Sequence, residues 1–281
     1  MILLVDGNNL VHLFWHMAKS KAYQETGNRD APADPSDVAE WFLIRLDNLK
    51  DWVTSRYGRS KLVCVFDGTK RCFRKNLVED YKGNRTRISD VYECVADAKL
   101  SLMNSSDWLG MVAPDGYEAD DLMASIAHQS GGQVIIHSPD KDMNQCLVMN
   151  RVSIIKRSGV QETGLNDHGL ALGSELVATE FSCSDYWEKY RFPVSKWVTY
   201  QCLVGDQADN VKGAQWVGQG TAAKILRGPC GLMAIDQADV EPYLNKRQLA
   251  CWPDFLERLP TLMKVFTLKT DLRFSLEERC A

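Results

Sequence analysis

The chain has 281 residues, 45% hydrophobic and 25% charged, with nine Cys, five His and a formal net charge of −4, enough to bury the core of one large domain or two coupled ones. No apolar stretch approaches the roughly 20 residues that a bilayer crossing needs, and Met1 leads into a strand-like run with no basic leader or cleavage pattern, so a cytoplasmic protein with no membrane role is expected. The Cys are odd in number and lack any Cys-x-x-Cys pair, which argues against a disulfide framework or a thiolate zinc site, while the net negative charge alone argues against a polyanionic partner.

Residues 1–5 read as a buried strand ending on Asp6, with a helix from Leu10 to about Lys19 behind it and a polar loop over 20–33. Asp34 and Pro35 then form a helix start, and Val38, Phe42, Leu46, Leu49 and Val53 recur at helical spacing up to Gly58. "KLVCVF" (61–66) is a second buried strand, again followed by a carboxylate, Asp67. Val91, Val95, Ala98 and Leu102 predict a helix, "MVA" (111–113) a short apolar run, and a further helix runs from near Glu118 to about Gln129. Val134 to His137 is a third strong strand, with Asp140 and Asp142 just beyond it.

Strands alternating with helices imply a parallel sheet, whose functional groups gather beyond the carboxyl ends of the strands. Asp6, Asp67 and Asp140 all stand there. "YEADD" adds Glu118, Asp120 and Asp121, and "LVGDQADN" adds Asp206 and Asp209; with Asp142 this makes nine acids. An isolated Asp after a strand is usually a turn residue or helix cap, and an acidic first turn is a common response to the helix dipole. Joint placement is what carries weight. Nine crowded carboxylates repel one another unless cations stand between them, and an all-oxygen set without His or Cys suits Mg²⁺ or Mn²⁺, two of which form a recurrent device for displacement at phosphorus.

The charge objection weakens once these acids are set apart, since 37 acids less nine leaves 28 against 33 basic residues. The segment 70–87, "KRCFRKNLVEDYKGNRTR", combines Arg71, Arg74, Lys75, Lys82 and Arg85 with Phe73 and Tyr81, a mixture that suits phosphate pairing and base stacking on single-stranded nucleic acid. An ordinary solvated loop has the same composition.

Taken in order, "VDGNN", "FDG", "YKGNR", "YEADD", "SPDKD" and "LVGDQADN" resemble the 5′ nuclease (flap endonuclease) superfamily, in particular the phage and bacterial 5′-3′ exonucleases and the 5′ nuclease domain of DNA polymerase I. The resemblance runs from Asp6 to about Leu226. It implies an α/β, PIN-like fold, with a central mostly parallel sheet, helices on both faces, and a helical C-terminal part carrying a helix-three-turn-helix at about 203–226. An α/β nuclease domain over 1–170 and a helical DNA-binding part over 171–281 are expected.

The resemblance also implies two metal clusters, one from Asp6, Asp67, Glu118 and Asp120 and one from Asp121, Asp140, Asp142, Asp206 and Asp209. Lys82 and Arg85 match the family's cations near the scissile phosphate. In "VKGAQWVGQGTAAKIL" (211–226), Gly213, Gly218, Gly220, Thr221 and Lys224 correspond to the element that holds duplex DNA, typically with K⁺. Here Trp216 stands where glycine is usual, and Gln219-Gly220 replace Pro-Lys. The implied activity is Mg²⁺-dependent (Mn²⁺ substituting), structure-selective 5′-3′ exonuclease or flap endonuclease cleavage of DNA with flaps, nicks or ends, or of the RNA in RNA–DNA hybrids. It would leave 5′-phosphate and 3′-hydroxyl products and be performed by a stand-alone monomer. A PIN-like ribonuclease and a non-catalytic nucleic-acid binder on the same fold are the alternatives; the first needs only about four acids, and the second would be expected to have lost some.

Overall fold

The computed structural model describes residues 1–84, 89–103, 105–165, 171–228 and 237–277. Its centre is a six-stranded sheet in the order β3-β2-β1-β4-β5-β6. β1 (Ile2–Asp6), β2 (Lys61–Phe66), β3 (Trp108–Val112), β4 (Val134–His137) and β5 (Val152–Leu165) are parallel. β6 (Ala171–Phe181) returns antiparallel against β5.

Alternation along the strands assigns residues to two buried faces. Leu3, Val5, Cys64, Phe66 and Ile135 join α1 (Gly7–Thr26), α2 (Pro35–Tyr57) and α4 (Ser89–Met103) on one side. Leu4, Val63, Val65, Ile136 and Ile154 face α5 (Ala119–Gln129) on the other. Helices therefore cover both faces, as expected. α2 shows why its sequence folds so: the Asp34 side chain caps Ser36 N–H at 2.8 Å, Pro35 opens the helix, and Val38, Phe42, Leu46, Leu49, Trp52 and Val53 are buried. Each such side chain contributes roughly 1.5–3 kcal/mol on burial, so Phe42→Ala is expected to be severely destabilising.

Two details differ from the sequence expectation. α1 starts directly at Gly7 because Asp6 itself caps it, and it runs to Thr26, past its last buried residue, Ala18, until Gly27, whose φ of 68° ends the helix. The expected domain division at 170/171 falls within the β5–β6 hairpin, so β6 belongs to the sheet. The short α3 (Arg74–Leu77) and the later helices share the α5-side core: α6 (Cys183–Tyr190), α7 (Trp197–Val204), α8 (Gln219–Arg227), α9 (Gln237–Val240), α10 (Lys246–Ala250) and α11 (Trp252–Phe266) pack there, with Trp197, Leu203, Ile225, Trp252 and Phe266 buried in it. Between α7 and α8 lies a short hairpin of two-residue strands, β7 (Gly205–Asp206) with β8 (Val211–Lys212). Among the described residues no helix is long and apolar enough to cross a membrane.

Candidate active site

The carboxyl edge of the sheet brings the acids to one region. Asp6 ends β1, accepts from Asn9 N–H at 2.9 Å and receives the Ser138 hydroxyl at 3.2 Å, which links the ends of β1 and β4. Asp67, after β2, accepts from Ala119 N–H at 2.8 Å, so its carboxylate sits at the start of α5. Asn8 accepts from Asp67 N–H at 2.9 Å and fixes that turn. Past β4, Asp140 accepts from Asp142 N–H at 2.7 Å, and Gln201 of α7 donates to Asp142. In the β7–β8 hairpin, Asp206 accepts from Ala208 N–H at 2.8 Å and pairs with Lys141 at 3.0 Å.

The segment 80–84 is laced onto this hairpin. Asn84 donates to Gln207 O at 3.0 Å, Asn210 donates to Asp80 O at 3.1 Å, and Lys82 N–H donates to Asp209 O at 2.9 Å. Lys82 adopts a φ of 54°, an uncommon conformation for a non-glycine residue. Its ammonium pairs with Glu118. The Tyr81 hydroxyl lies 3.0 Å from both a Glu118 and an Asp209 carboxylate oxygen, bridging residues that the resemblance assigns to different clusters.

Electrostatically the acids divide. Burial opposes the Glu118 carboxylate, but Lys82 and Arg74 outweigh it and hold the pKa below the ordinary range. Asp121 is fully buried and takes both Arg74 guanidinium nitrogens at 2.7 Å. Elsewhere the shifts run upward. Burial, with repulsion from Asp67 and Asp140, pushes Asp6 up to about 7 despite the Asn9 hydrogen bond. Burial and then Asp140 push Asp142 up to about 8. Asp120 is raised well above the carboxylate range by burial and then by Asp140 and Asp6, and burial raises Asp67 and Asp140 as well.

The two implied clusters are not drawn together as ready-made cages. Among the described residues no group of three or more His, Cys, Asp or Glu stands at metal-binding separation. The charges explain this: Glu118 and Asp121 are turned to Lys82, Tyr81 and Arg74, while the remaining carboxylates repel one another. The donor set nonetheless fits hard divalent cations. It is all oxygen, and protons are taken up where positive charge is short.

Arg74 and Tyr81, expected on a DNA-binding surface, lie inside the protein, and Gly213, expected there too, is half-buried. Arg74 is 3% exposed, and its Nε donates to Val265 O at 2.8 Å. Tyr81 is 4% exposed. A Cβ on Gly213 would stand 2.4 Å from Gly205 N and 2.5 Å from Leu203 O, so this glycine serves the close hairpin packing. Arg71 and Lys224 are exposed, Lys75 and Thr221 half-buried, and a Cβ on Gly218 or Gly220 would meet nothing within 4 Å. Arg85 lies outside the described residues.

Sequence reading missed the supports. Gln201 and the tail after α11 carry no motif, yet Lys269 N–H donates to Asp121 at 3.0 Å, and the Ser125 hydroxyl donates to Lys269 O at 2.9 Å, clamping α5. No single-sequence signal marks such contacts across 144 positions.

A mostly parallel sheet with acids along its carboxyl edge defines a class, and sequence comparison supplies the family. Residues 1–171 match the family described as 5′-3′ exonuclease, N-terminal resolvase-like domain, and the chain belongs to it. It is 28% identical over 229 residues to the thermostable DNA polymerase I of Thermus caldophilus, covering 80% of this chain but 24% of the polymerase. It is 25% identical over 229 residues to the 5′-3′ exonuclease of Buchnera aphidicola subsp. Schizaphis graminum, covering 80% of this chain and 69% of that protein. The chain thus spans about a quarter of the length of its polymerase relatives. Among solved structures it shares its fold with bacteriophage T5 5′-exonuclease bound to zinc (TM-score 0.65, 20% identity, 96% of this chain and 90% of that one). Human GEN1 in complex with Holliday junction DNA aligns with TM-score 0.55 at 14% identity, over 99% and 64% of the two chains.

Proposed function

We propose that this chain is a divalent-metal-dependent, structure-selective 5′ nuclease that hydrolyses DNA phosphodiesters at a free 5′ end, nick or flap to 5′-phosphate and 3′-hydroxyl products. The observation that carries the reading is the gathering of buried and half-buried carboxylates, with Asp6 pushed up to about 7 and Asp142 to about 8, beside the ammonium of Lys82. Membership of the 5′-3′ exonuclease family supports it, as do relatives named DNA polymerase I and 5′-3′ exonuclease.

Asp6, Asp67, Asp120, Asp140, Asp142, Asp206 and Asp209 are the residues proposed to hold Mg²⁺ or Mn²⁺, with Glu118 joining them once Lys82 is drawn to a phosphate. When bound, such ions supply an activated water and charge stabilisation at phosphorus. The chain's own groups do the rest. Lys82, held by its bond to Asp209 O, offers positive charge to the phosphoryl oxygens as negative charge builds there. Tyr81 holds Glu118 and Asp209 at fixed separation. The Asp121–Arg74 pair keeps the first turn of α5 in place, so Asp121 is assigned a structural role. K⁺ at the glycine-rich element has less support, because the Lys212 and Gly213 carbonyls already accept from Arg258 at 3.0 and 2.9 Å and the Trp216 carbonyl from Gln248 at 2.8 Å.

The test is cleavage of end-labelled 5′-flap, nicked, blunt and single-stranded DNA, with RNA counterparts, across a Mg²⁺ and Mn²⁺ titration. Metal-dependent cleavage near the single-strand/double-strand junction is expected. Cleavage of RNA alone moves the assignment to a PIN-like ribonuclease, and binding without cleavage at any metal concentration rejects an enzyme.

A further inference from the structure

Trp216 holds a φ of 66° and leaves 52% of its surface exposed. That combination is unfavourable on its face, since the left-handed region disfavours a bulky side chain and little burial compensates. Core packing does not account for the residue, which stands outside the buried set. What surrounds it is an elaborate support: the Arg247 guanidinium stacks 3.6 Å from the indole centroid, and buried Gln248 donates to the Trp216 carbonyl at 2.8 Å. Both supports come from α10 (Lys246–Ala250), whose start is locked by reciprocal bonds between Asn245 and Gln248 at 2.8 and 3.0 Å. Arg258 fixes the preceding turn through the Lys212 and Gly213 carbonyls. The indole thus carries a cation over its ring, its backbone is anchored by α10, and half of its surface remains exposed.

Its surroundings are cationic and unobstructed. Lys212, Lys246 and Arg247 are exposed beside it in the chain or in the supporting helix. Gly218 and Gly220 follow with open space where a side chain would stand and without a positive φ, so neither internal fit nor backbone conformation calls for glycine there. Glycine at such positions leaves room for a partner to approach the backbone closely. An aromatic plane backed by a guanidinium, beside exposed cations and an open backbone, matches a nucleotide: the base on the ring and its phosphate among the positive charges. In a continuous duplex both faces of each base are occupied by neighbours, which favours an unpaired base.

We propose that Trp216, backed by Arg247, is a stacking platform for an unpaired nucleotide adjoining the duplex, and so a determinant of which DNA structures the protein selects. This rests on the nucleic-acid reading above.

The test is fluorescence anisotropy of two labelled DNAs, a blunt duplex and the same duplex with an unpaired extension, in Ca²⁺ as a non-reactive stand-in for Mg²⁺. Wild type is compared with Trp216→Gly, Trp216→Phe and Arg247→Ala after thermal melts establish that each is folded, and wild-type cleavage in Mg²⁺ is run on the same DNAs. Trp216→Gly is expected to raise Kd for the extended DNA about tenfold, within the range for loss of one stacked base, and for the blunt duplex less than about twofold. Trp216→Phe is expected to retain most of the affinity and Arg247→Ala to lose part of it, selectively for the extension. Equal losses on both DNAs, or unchanged binding by Trp216→Gly, overturn the platform. If Trp216→Gly does not fold, Trp216→Phe and Arg247→Ala decide the matter by the same selectivity. Wild type that neither binds nor cleaves either DNA rejects the nuclease reading itself, a different outcome from wild type that does both while the variants behave alike.

Discussion

Asp120 and Asp121 are adjacent in the first turn of α5, yet they lie in opposite surroundings. Asp121 is fully buried and saturated: two guanidinium bonds from Arg74 and the N–H groups of Glu118 and Lys269. Asp120 faces Asp140 and Asp6, whose repulsion adds to burial in raising its pKa. The same division extends outward, with Arg74 and Lys82 around Glu118 on one side and, on the other, Asp6 and Asp142, each repelled by Asp140. Fixed cations compensate acids that shape the site, whereas the uncompensated side is left with the charge that a divalent ion would neutralise.

The sharpest way to break this comparison is to remove the divalent ions. In excess EDTA cleavage is expected to fall to background and to return with Mg²⁺. Asp120→Asn is expected to abolish cleavage in Mg²⁺ while raising the melting temperature of the metal-free protein, because a repelled charge is lost. Undiminished cleavage in EDTA would remove the metal from the mechanism.

On the compensated side the expected effect is on folding. Arg74→Met leaves the Asp121 carboxylate buried without its partner, and breaking one half of such a pair costs about 3–5 kcal/mol. Denaturant titration measures it. A loss below about 1 kcal/mol would mean that the pair is not the fixed element described here. Lys82 stands between the two sides. Lys82→Ala is expected to slow single-turnover cleavage by roughly two to three orders of magnitude, the range for one lost electrostatic group at a developing charge. Its DNA affinity in Ca²⁺ is expected to change less than about tenfold, since many phosphate contacts share the binding. Weak binding with normal turnover at saturation would make Lys82 an ordinary phosphate contact.

The pH dependence of the metal-free protein carries the comparison further. Asp6 titrates at about 7 and Asp142 at about 8 in the folded state, against 3.8 for the ordinary carboxyl. Between these limits the folded protein holds protons that the unfolded chain has lost, so stability falls as pH rises. Melting temperature in EDTA is therefore expected to drop by several degrees from pH 5 to pH 8, and Asp142→Asn to flatten the slope, its stabilising effect growing toward pH 8. A rise in melting temperature over that interval contradicts the assignment of the uncompensated side.

How much of this was legible in the sequence depends on chain distance. Asp6, Asp67 and Asp140 follow apolar runs that read directly as strands, and the rule that parallel sheets gather function at their carboxyl edge brought them together. The α2 boundaries were written in Asp34, Pro35 and Gly58. Arg74 misled because composition places a basic residue on the surface, whereas its partner, Asp121, lies 47 positions away. Tyr81 misled likewise, since an aromatic among cations suggests stacking, but its hydroxyl is held between two carboxylates. The β5–β6 hairpin passed unnoticed because residues 151–181 mix apolar, charged and glycine residues without a clean period.

The smallest expected effect separates two glycines that the sequence presents as equivalent. Gly213 packs against Gly205 so closely that a Cβ would stand 2.4 Å from the Gly205 nitrogen, with the Leu203 carbonyl oxygen and the Val204 carbonyl carbon each at 2.5 Å. Gly213→Ala must push apart the β7–β8 hairpin that carries Asp206 and Asp209, so both stability and cleavage are expected to fall, the former by about 1–3 kcal/mol as for overpacking. Gly218 precedes α8 and has open space at the corresponding position. Gly218→Val is therefore expected to leave the melting temperature within about 2 °C of wild type, as for other unobstructed surface changes. If this element grips the duplex as proposed, its Cβ and methyls would block the approach of a phosphate to the backbone, raising Kd for duplex-containing DNA several-fold while hydrolysis of a short single strand is little changed. Melting and anisotropy on the two variants measure both. Equal effects of Gly218→Val on duplex and single strand would show that this element does not grip the duplex separately, and the contrast between an internal and an outward-facing glycine would lose its functional meaning.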